Sequence, residues 1–117
     1  MGTLMSTLHA ADFTASYAPI EGCICASCDR LISGGSVRLT RHILCPNGGL
    51  VATHYHLAHG LHSASNLRCP CRVRRQSDVV PPKLYGTSRL RPQDAADVEA
   101  RFAHAQAAWM ARCMHTD

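Results

Sequence analysis

A small α+β domain that leans on bound metal is the fold class this sequence predicts, and three observations predict it. The chain is 117 residues long, enough for one small domain and too short for two large ones. Its hydrophobic fraction of 46% is ordinary, yet aromatics make up only 5% and much of the apolar count is alanine, so the core is thin. Seven cysteines and eight histidines supply a remedy, because metal ligation provides folding free energy that a small core cannot. A large catalytic domain does not fit this length. No apolar run approaches the ~18 residues of a membrane span, and Met1 to Ala11 lacks the basic start and apolar stretch of a signal peptide. The expectation is a soluble, unsecreted chain. In a reducing compartment an odd number of cysteines grouped with histidines reads as metal ligands before it reads as a disulfide framework.

Taken in order, residues 1–12 show no periodicity and are expected to be a flexible lead, residues 13–113 a single domain and 114–117 a tail. Phe13 to Ile20 suits a short extended segment, closed by Pro19 and Gly22. The Cys23 to Cys28 cluster follows, and Ser33-Gly34-Gly35-Ser36 reads as a turn. Val37 and Leu39 then alternate with Arg38 and Thr40, the pattern of a half-buried strand with Arg38 on the face away from the apolar pair. Pro46-Asn47-Gly48-Gly49 is a strong turn signal, and Leu50-Val51-Ala52 returns as the partner strand, making an antiparallel hairpin. His56 to Ala64 suits one short helix with Leu57 and Leu61 on a face, and residues 65–85 read as a loop. Pro92 fits a first helical turn, Asp94 and Asp97 suit the positive end of its dipole, and Val98, Phe102, Ala105, Trp109 and Cys113 recur at helical spacing. Cys113 reads as a small buried residue on that stripe.

Cys25-Ala-Ser-Cys28 is a knuckle whose two thiolates reach one tetrahedral ion from a single tight turn. His56-Leu-Ala-His59 is an i, i+3 pair, which a helix places on one face. Together they make a four-ligand set, Cys25, Cys28, His56 and His59, for one structural Zn2+ ion. A closed set of four protein ligands leaves no open position, which argues against a zinc hydrolase. His54, His62, Cys23 and Cys45 stand near enough in sequence to compete, and Cys69 is a further candidate for the fourth ligand. A second ion would draw on Cys45, Cys69 and Cys71.

The net charge of +4 is unevenly spread: residues 1–29 carry no basic residue, whereas residues 68–91 carry seven against the single acid Asp78. Eleven of the twelve basic residues are arginine, whose planar fork pairs bidentately with phosphate and stacks on bases. A polyanionic partner is favoured, with the run from Arg72 to Arg75 either part of its surface or a solvated loop.

Tyr17-Ala18, Cys25-x2-Cys28, Asp29-Arg30-Leu31-Ile32, Gly35-Ser36-Val37-Arg38-Leu39 and Tyr55-His56-x2-His59, in that order, resemble the zinc finger of poly(ADP-ribose) polymerases, a module also found in a eukaryotic DNA ligase. Downstream, Tyr85-Gly86-Thr87-Ser88-Arg89-Leu90-Arg91-Pro92-Gln93-Asp94 is similar to that family's closing segment, so the resemblance spans residues 13–104. It departs at three places: His59 stands where the family has cysteine, His54 where it has tryptophan, and no basic residue precedes the first zinc cysteine. The resemblance implies a non-catalytic module that recognises nicked, gapped or broken duplex DNA by structure. It implies a phosphate grip by Arg38 and an apolar wedge from the hairpin loop, with Leu44, Leu50 and Val51 as candidate stackers; apart from the resemblance, Arg41 and Arg30 are further candidates for phosphate contact that read equally well as surface arginines. A repair or signalling enzyme would be its partner, with no membrane and no small-molecule substrate. Its place would be the nucleus in a eukaryotic cell and the cytoplasm otherwise. The rival reading orders Cys25/Cys28, Cys45/His54, His56/His59 and Cys69/Cys71 into the cross-braced two-zinc pattern of RING-like adaptors, although the Cys-x-Cys spacing is unusual for them.

Overall fold

The computed structural model of the protein describes residues 12–67 and 80–114, without the side chains of Leu44 and Met114. Most of the expected flexible lead, the Arg72 to Arg75 run, Cys69, Cys71 and the last three residues lie outside the described residues.

Among the described residues the elements are β1 (Asp12–Tyr17), β2 (Cys23–Ile24), β3 (Leu31–Ile32), β4 (Val37–Leu44), β5 (Leu50–His56), α1 (Leu57–Ser65), β6 (Lys83–Tyr85) and α2 (Pro92–Met114), with a 3-10 turn, Thr87–Arg89, before α2. They form the expected α+β arrangement. Strands run β5-β4-β1-β6 in the main sheet, and β2 and β3 make a separate two-stranded ribbon. The β4–β5 hairpin closes where the sequence placed it: Gly48 takes φ 90°, and the Cys45 N–H donates to the Gly49 carbonyl at 2.7 Å.

Several boundaries differ from expectation: the extended segment expected over Phe13 to Ile20 is β1, which begins at buried Asp12, a residue assigned to the lead, and ends at Tyr17. β6 lies inside the segment read as a loop and pairs parallel with β1, joining Asp12 to Lys83 and Thr14 to Tyr85. Helix α1 starts at Leu57, because His56 keeps an extended backbone (φ −54°, ψ 151°) and serves as its N-cap.

Side chains alternate across the sheet. The odd-numbered positions of β1 and β4, Phe13, Ala15 and Leu39, face the helices and are buried with Ala64, Val98, Phe102, Ala105 and Trp109. Phe13 and Phe102 meet edge-to-face with ring centroids 5.7 Å apart. Cys113 is buried on the same stripe as expected and is in addition disulfide-bonded. Helix α1 approaches β4 closely through Gly60, where a Cβ would lie 2.7 Å from the Leu39 Cβ. That approach sets the helix start beside the knuckle.

Helix α2 is tied down by polar contacts as well. The Trp109 indole N–H donates to the Leu67 carbonyl at 3.1 Å and the Gln106 amide to the Pro82 carbonyl at 2.6 Å. Tyr17 locks the first turn: its hydroxyl donates to Asp94 and accepts from the Arg91 backbone N–H at 2.9 Å, while the Arg91 guanidinium lies 5.4 Å from its ring centroid. Asp94 thus sits in the first turn as expected, whereas Asp97 pairs one turn on with Arg101 at 3.5 Å. A second, smaller cluster of Ala18, Cys25 and Ile32, with Cys23, Cys28 and Tyr55 against it, surrounds the knuckle.

Candidate metal centre

The knuckle is built by its own backbone. Between β2 and β3 the Cys25 N–H donates to the Arg30 carbonyl at 2.9 Å and the Asp29 N–H to the Cys25 carbonyl at 2.8 Å. Asp29 takes the left-handed conformation, φ 61°, which aspartate tolerates better than most residues. The Ala26 N–H donates to the His54 carbonyl at 2.8 Å, fastening the turn to β5. Two residues further along β5, His56 ends the strand, and His59 follows within the first turn of α1.

These elements bring Cys25, Cys28, His56 and His59 together with all four ligand atoms within 4.8 Å of one another. Cys25 Sγ stands 3.4 Å from His59 Nδ1, and Cys28 Sγ 3.5 Å from His56 Nδ1. Tetrahedral zinc with bonds of about 2.3 Å to sulfur and 2.05 Å to nitrogen requires an S···N edge of about 3.6 Å. The donor set and its spacing therefore fit zinc. His56 Nε2 lies 3.0 Å from the Leu31 carbonyl, which places the proton on that nitrogen and leaves Nδ1 free to ligate.

Burial pushes the Cys25 thiol up, but the backbone N–H groups of His56, Cys28 and Ser27 and the His59 side chain outweigh it and lower its pKa from 9.0 to about 6. The fold thus holds a thiolate ready for metal at neutral pH. Because the folded pKa is depressed, the folded state binds fewer protons than the unfolded one near neutrality. The resulting stability is present above pH 9 and lost as pH falls through about 6. Zinc retention, followed by a chromogenic chelator, should accordingly be complete above pH 7 and decline below about pH 6; release that begins well above neutrality would show that Cys25 is not held as a thiolate.

The competing ligands have other positions. His54 Nδ1 bonds Thr40 Oγ1 at 2.9 Å, and burial, then Arg38, then His42 lower its pKa. Cys23 Sγ accepts from Arg38 Nη1 at 3.3 Å. His62 is exposed in the last turn of α1. Cys45 sits five residues beyond Thr40, the residue opposite His54, which at strand rise is roughly 17 Å. Cys45 and His54 therefore cannot share an ion, and among the described residues there is one metal cluster and no second.

The other singled-out residues distribute over both sheet faces. Register pairs Ser16 with Arg38 and Arg38 with His56, so these lie on the face away from the helices, together with Thr14, Thr40, His42, His54 and Leu50. Arg38 is half-buried, its Nε donating to Ser16 Oγ at 3.1 Å. Arg41 is opposite Phe13 and points to the helix-bearing face, so it does not join Arg38. Arg30 is exposed in the knuckle and lines an open cavity of about 560 Å³ with Leu31, His56 and His59. Leu50 and Val51 are 53% and 48% exposed at the hairpin tip, Leu50 on the Arg38 face and Val51 on the other. Leu44 pairs with Leu50 through its backbone.

Sequence reading missed the polar couples Thr14–His42 and Thr40–His54, although strand parity alone places all four on one face. Among the described residues no helix is long and apolar enough to cross a membrane. No protein-family model matches the chain, and no curated protein matches it.

Proposed function

We propose that this protein is a non-catalytic zinc module that binds nicked, gapped or broken DNA by structure, in the manner of the zinc finger of poly(ADP-ribose) polymerases. The observation that carries the reading is the layout of one sheet face, with Arg38 at the metal end and exposed Leu50 at the hairpin tip. Arg38 and the Leu44–Leu50 pair are six strand positions apart, roughly 20 Å, or about six base steps of duplex. A guanidinium carries five donors, and Ser16 and Cys23 occupy two of those of Arg38, fixing its orientation and leaving the rest for phosphate oxygens. An apolar tip enters the base stack at least cost where the stack is already interrupted, so grip and wedge together reward a break over intact duplex. The ordered motifs from Tyr17 to Asp94 support the same reading. Arg41 faces the other way and is left out of the grip. Zinc acts structurally, holding the knuckle against the strand that carries the face.

Having no chemistry of its own, the module would hand a detected break to a repair or signalling enzyme, in the nucleus of a eukaryotic cell or in the cytoplasm otherwise. The cross-braced adaptor reading loses ground because its second site would require Cys45 and His54 to meet.

The test is anisotropy binding to nicked and intact hairpin DNA of the same sequence. Arg38→Ala should weaken binding to all sequences alike and flatten the salt dependence by about one unit of slope. Leu50→Asn should abolish the preference for the nick and leave the salt slope unchanged. Equal affinity of the wild type for nicked and intact DNA would defeat the proposal.

A further inference from the structure

Strand β6 pairs with β1 only as far as Thr14. At Gly86 the chain turns away with φ 89°, and a Cβ there would stand 2.7 Å from the Ala15 carbonyl oxygen, so the turn hugs the β1 edge before the 3-10 turn lifts off. Between that edge and the turn lies an open groove of about 420 Å³, lined by Thr14, Ser16, Tyr85, Ser88 and Arg89 among others, with no acidic residue in its wall. Of its five hydroxyl residues, Thr14 is bonded to His42 and Tyr17 to Asp94; the hydroxyls of Ser16, Tyr85 and Ser88 with the Arg89 guanidinium remain as a donor set suited to phosphate oxygens.

The nearby carboxylates are already occupied: Thr87 Oγ1 donates to Glu99 at 2.6 Å, and the Tyr17 hydroxyl donates to Asp94. Arg89 is exposed and, among the described residues, has no side-chain partner. The groove is also continuous with the grip, because Ser16 forms its wall and accepts the Arg38 Nε–H.

We infer that this groove is a second backbone subsite, in which Arg89 and the hydroxyls of Ser16, Ser88 and Tyr85 hold a phosphodiester of the same nucleic-acid strand that Arg38 grips. The inference rests on the proposed DNA-binding role and adds the direction of the strand. β4 and β6 are two strand spacings apart, about 10 Å, so the two contacts fall on different phosphates of one strand. The bound backbone therefore passes from β4 over β1 toward the turn after β6, oblique to the line from Arg38 to the hairpin tip.

The experiment compares the wild type, Arg89→Ala and Arg101→Ala on nicked duplex between 50 and 200 mM salt, Arg101→Ala removing the same formal charge from the exposed side of α2. Arg89→Ala should lower the salt slope by about 0.9, so that the wild-type advantage shrinks about threefold across that range, while Arg101→Ala runs parallel to the wild type. Neutral methylphosphonate linkages walked along the strand locate the contact: the linkage that cancels the effect of Arg89→Ala should lie on the same strand as, and be different from, the one that cancels the effect of Arg38→Ala. If Arg89→Ala behaves like Arg101→Ala, or both arginines read the same linkage, the subsite is overturned while break binding stands. If nicked and intact duplex bind alike but the Arg89 effect persists, break recognition fails and the backbone track stands. A wild type that binds no nucleic acid removes both.

Discussion

His59→Ala should leave a chain that binds no zinc and shows no cooperative thermal transition, the same result that a strong chelator should produce with the wild type. The magnitudes decide this. Structural zinc in small modules is worth about 10–16 kcal/mol at neutral pH, while whole domains have a net stability of about 5–15 kcal/mol, so losing the ion removes as much as the fold has. The geometry says the same, since around the knuckle only Ala18, Cys25 and Ile32 are fully buried. Three small or medium side chains cannot hold a turn and a two-residue ribbon against β5 without the ion. His59→Cys is the companion variant and should remain folded with one zinc per chain. His59 presents Nδ1, the ring nitrogen nearer the backbone, to the cluster, so a cysteine sulfur would need only a small backbone shift to hold the ion in its place. Zinc measured by native mass spectrometry alongside circular dichroism separates the cases; a folded, fully metallated His59→Ala chain would show that another residue completes the site.

The candidate metal cluster was legible in the sequence because both pairs are local: Cys-x2-Cys fits one tight turn, and His56 and His59 stand three residues apart across the start of α1. What the sequence left open was which of several nearby histidines and cysteines belonged, and strand register answers that. His54 and His56 share a face, yet His54 lies opposite Thr40, which takes its ring nitrogen, while His56 lies at the strand end beside the knuckle. Parity likewise separates Arg38 from Arg41, three positions apart on one strand and so on opposite faces, a consequence that composition and charge counts conceal.

Strand β6 was not legible, for a different reason. Three residues between a proline pair and a glycine carry too little pattern, and their partner, Asp12 to Thr14, is about seventy residues earlier in the chain. The same distance hid the role of Tyr17. Its place in the motif was plain, but its bonds to Asp94 and the Arg91 backbone exist only once β1 and α2 have met. The groove that holds Arg89 is a product of those two long-range facts: β6 stops short, and the chain must cross to the helix that Tyr17 anchors.

Phe102→Ala should cost about 3–5 kcal/mol, which for a domain of this size lowers the melting temperature by roughly 15–25 °C without releasing zinc. Phe102 is 1% exposed and stacks edge-to-face on fully buried Phe13, so one ring carries the contact between α2 and the strand at the centre of the sheet. With aromatics at only 5% of the chain, little else of that volume is available to fill the gap. The two cysteines of the candidate site belong to the other cluster, which includes no residue of α2. At room temperature the variant should therefore stay folded and bind one zinc, and its melting curve should shift as a single transition. Phe102→Leu, which refills most of the volume, should lose less than roughly half as much. If Phe102→Ala instead released zinc at a temperature where the chain remained folded, packing on the α2 side would be coupled directly to the metal centre. The helix stripe would then be holding the metal centre as directly as the knuckle does.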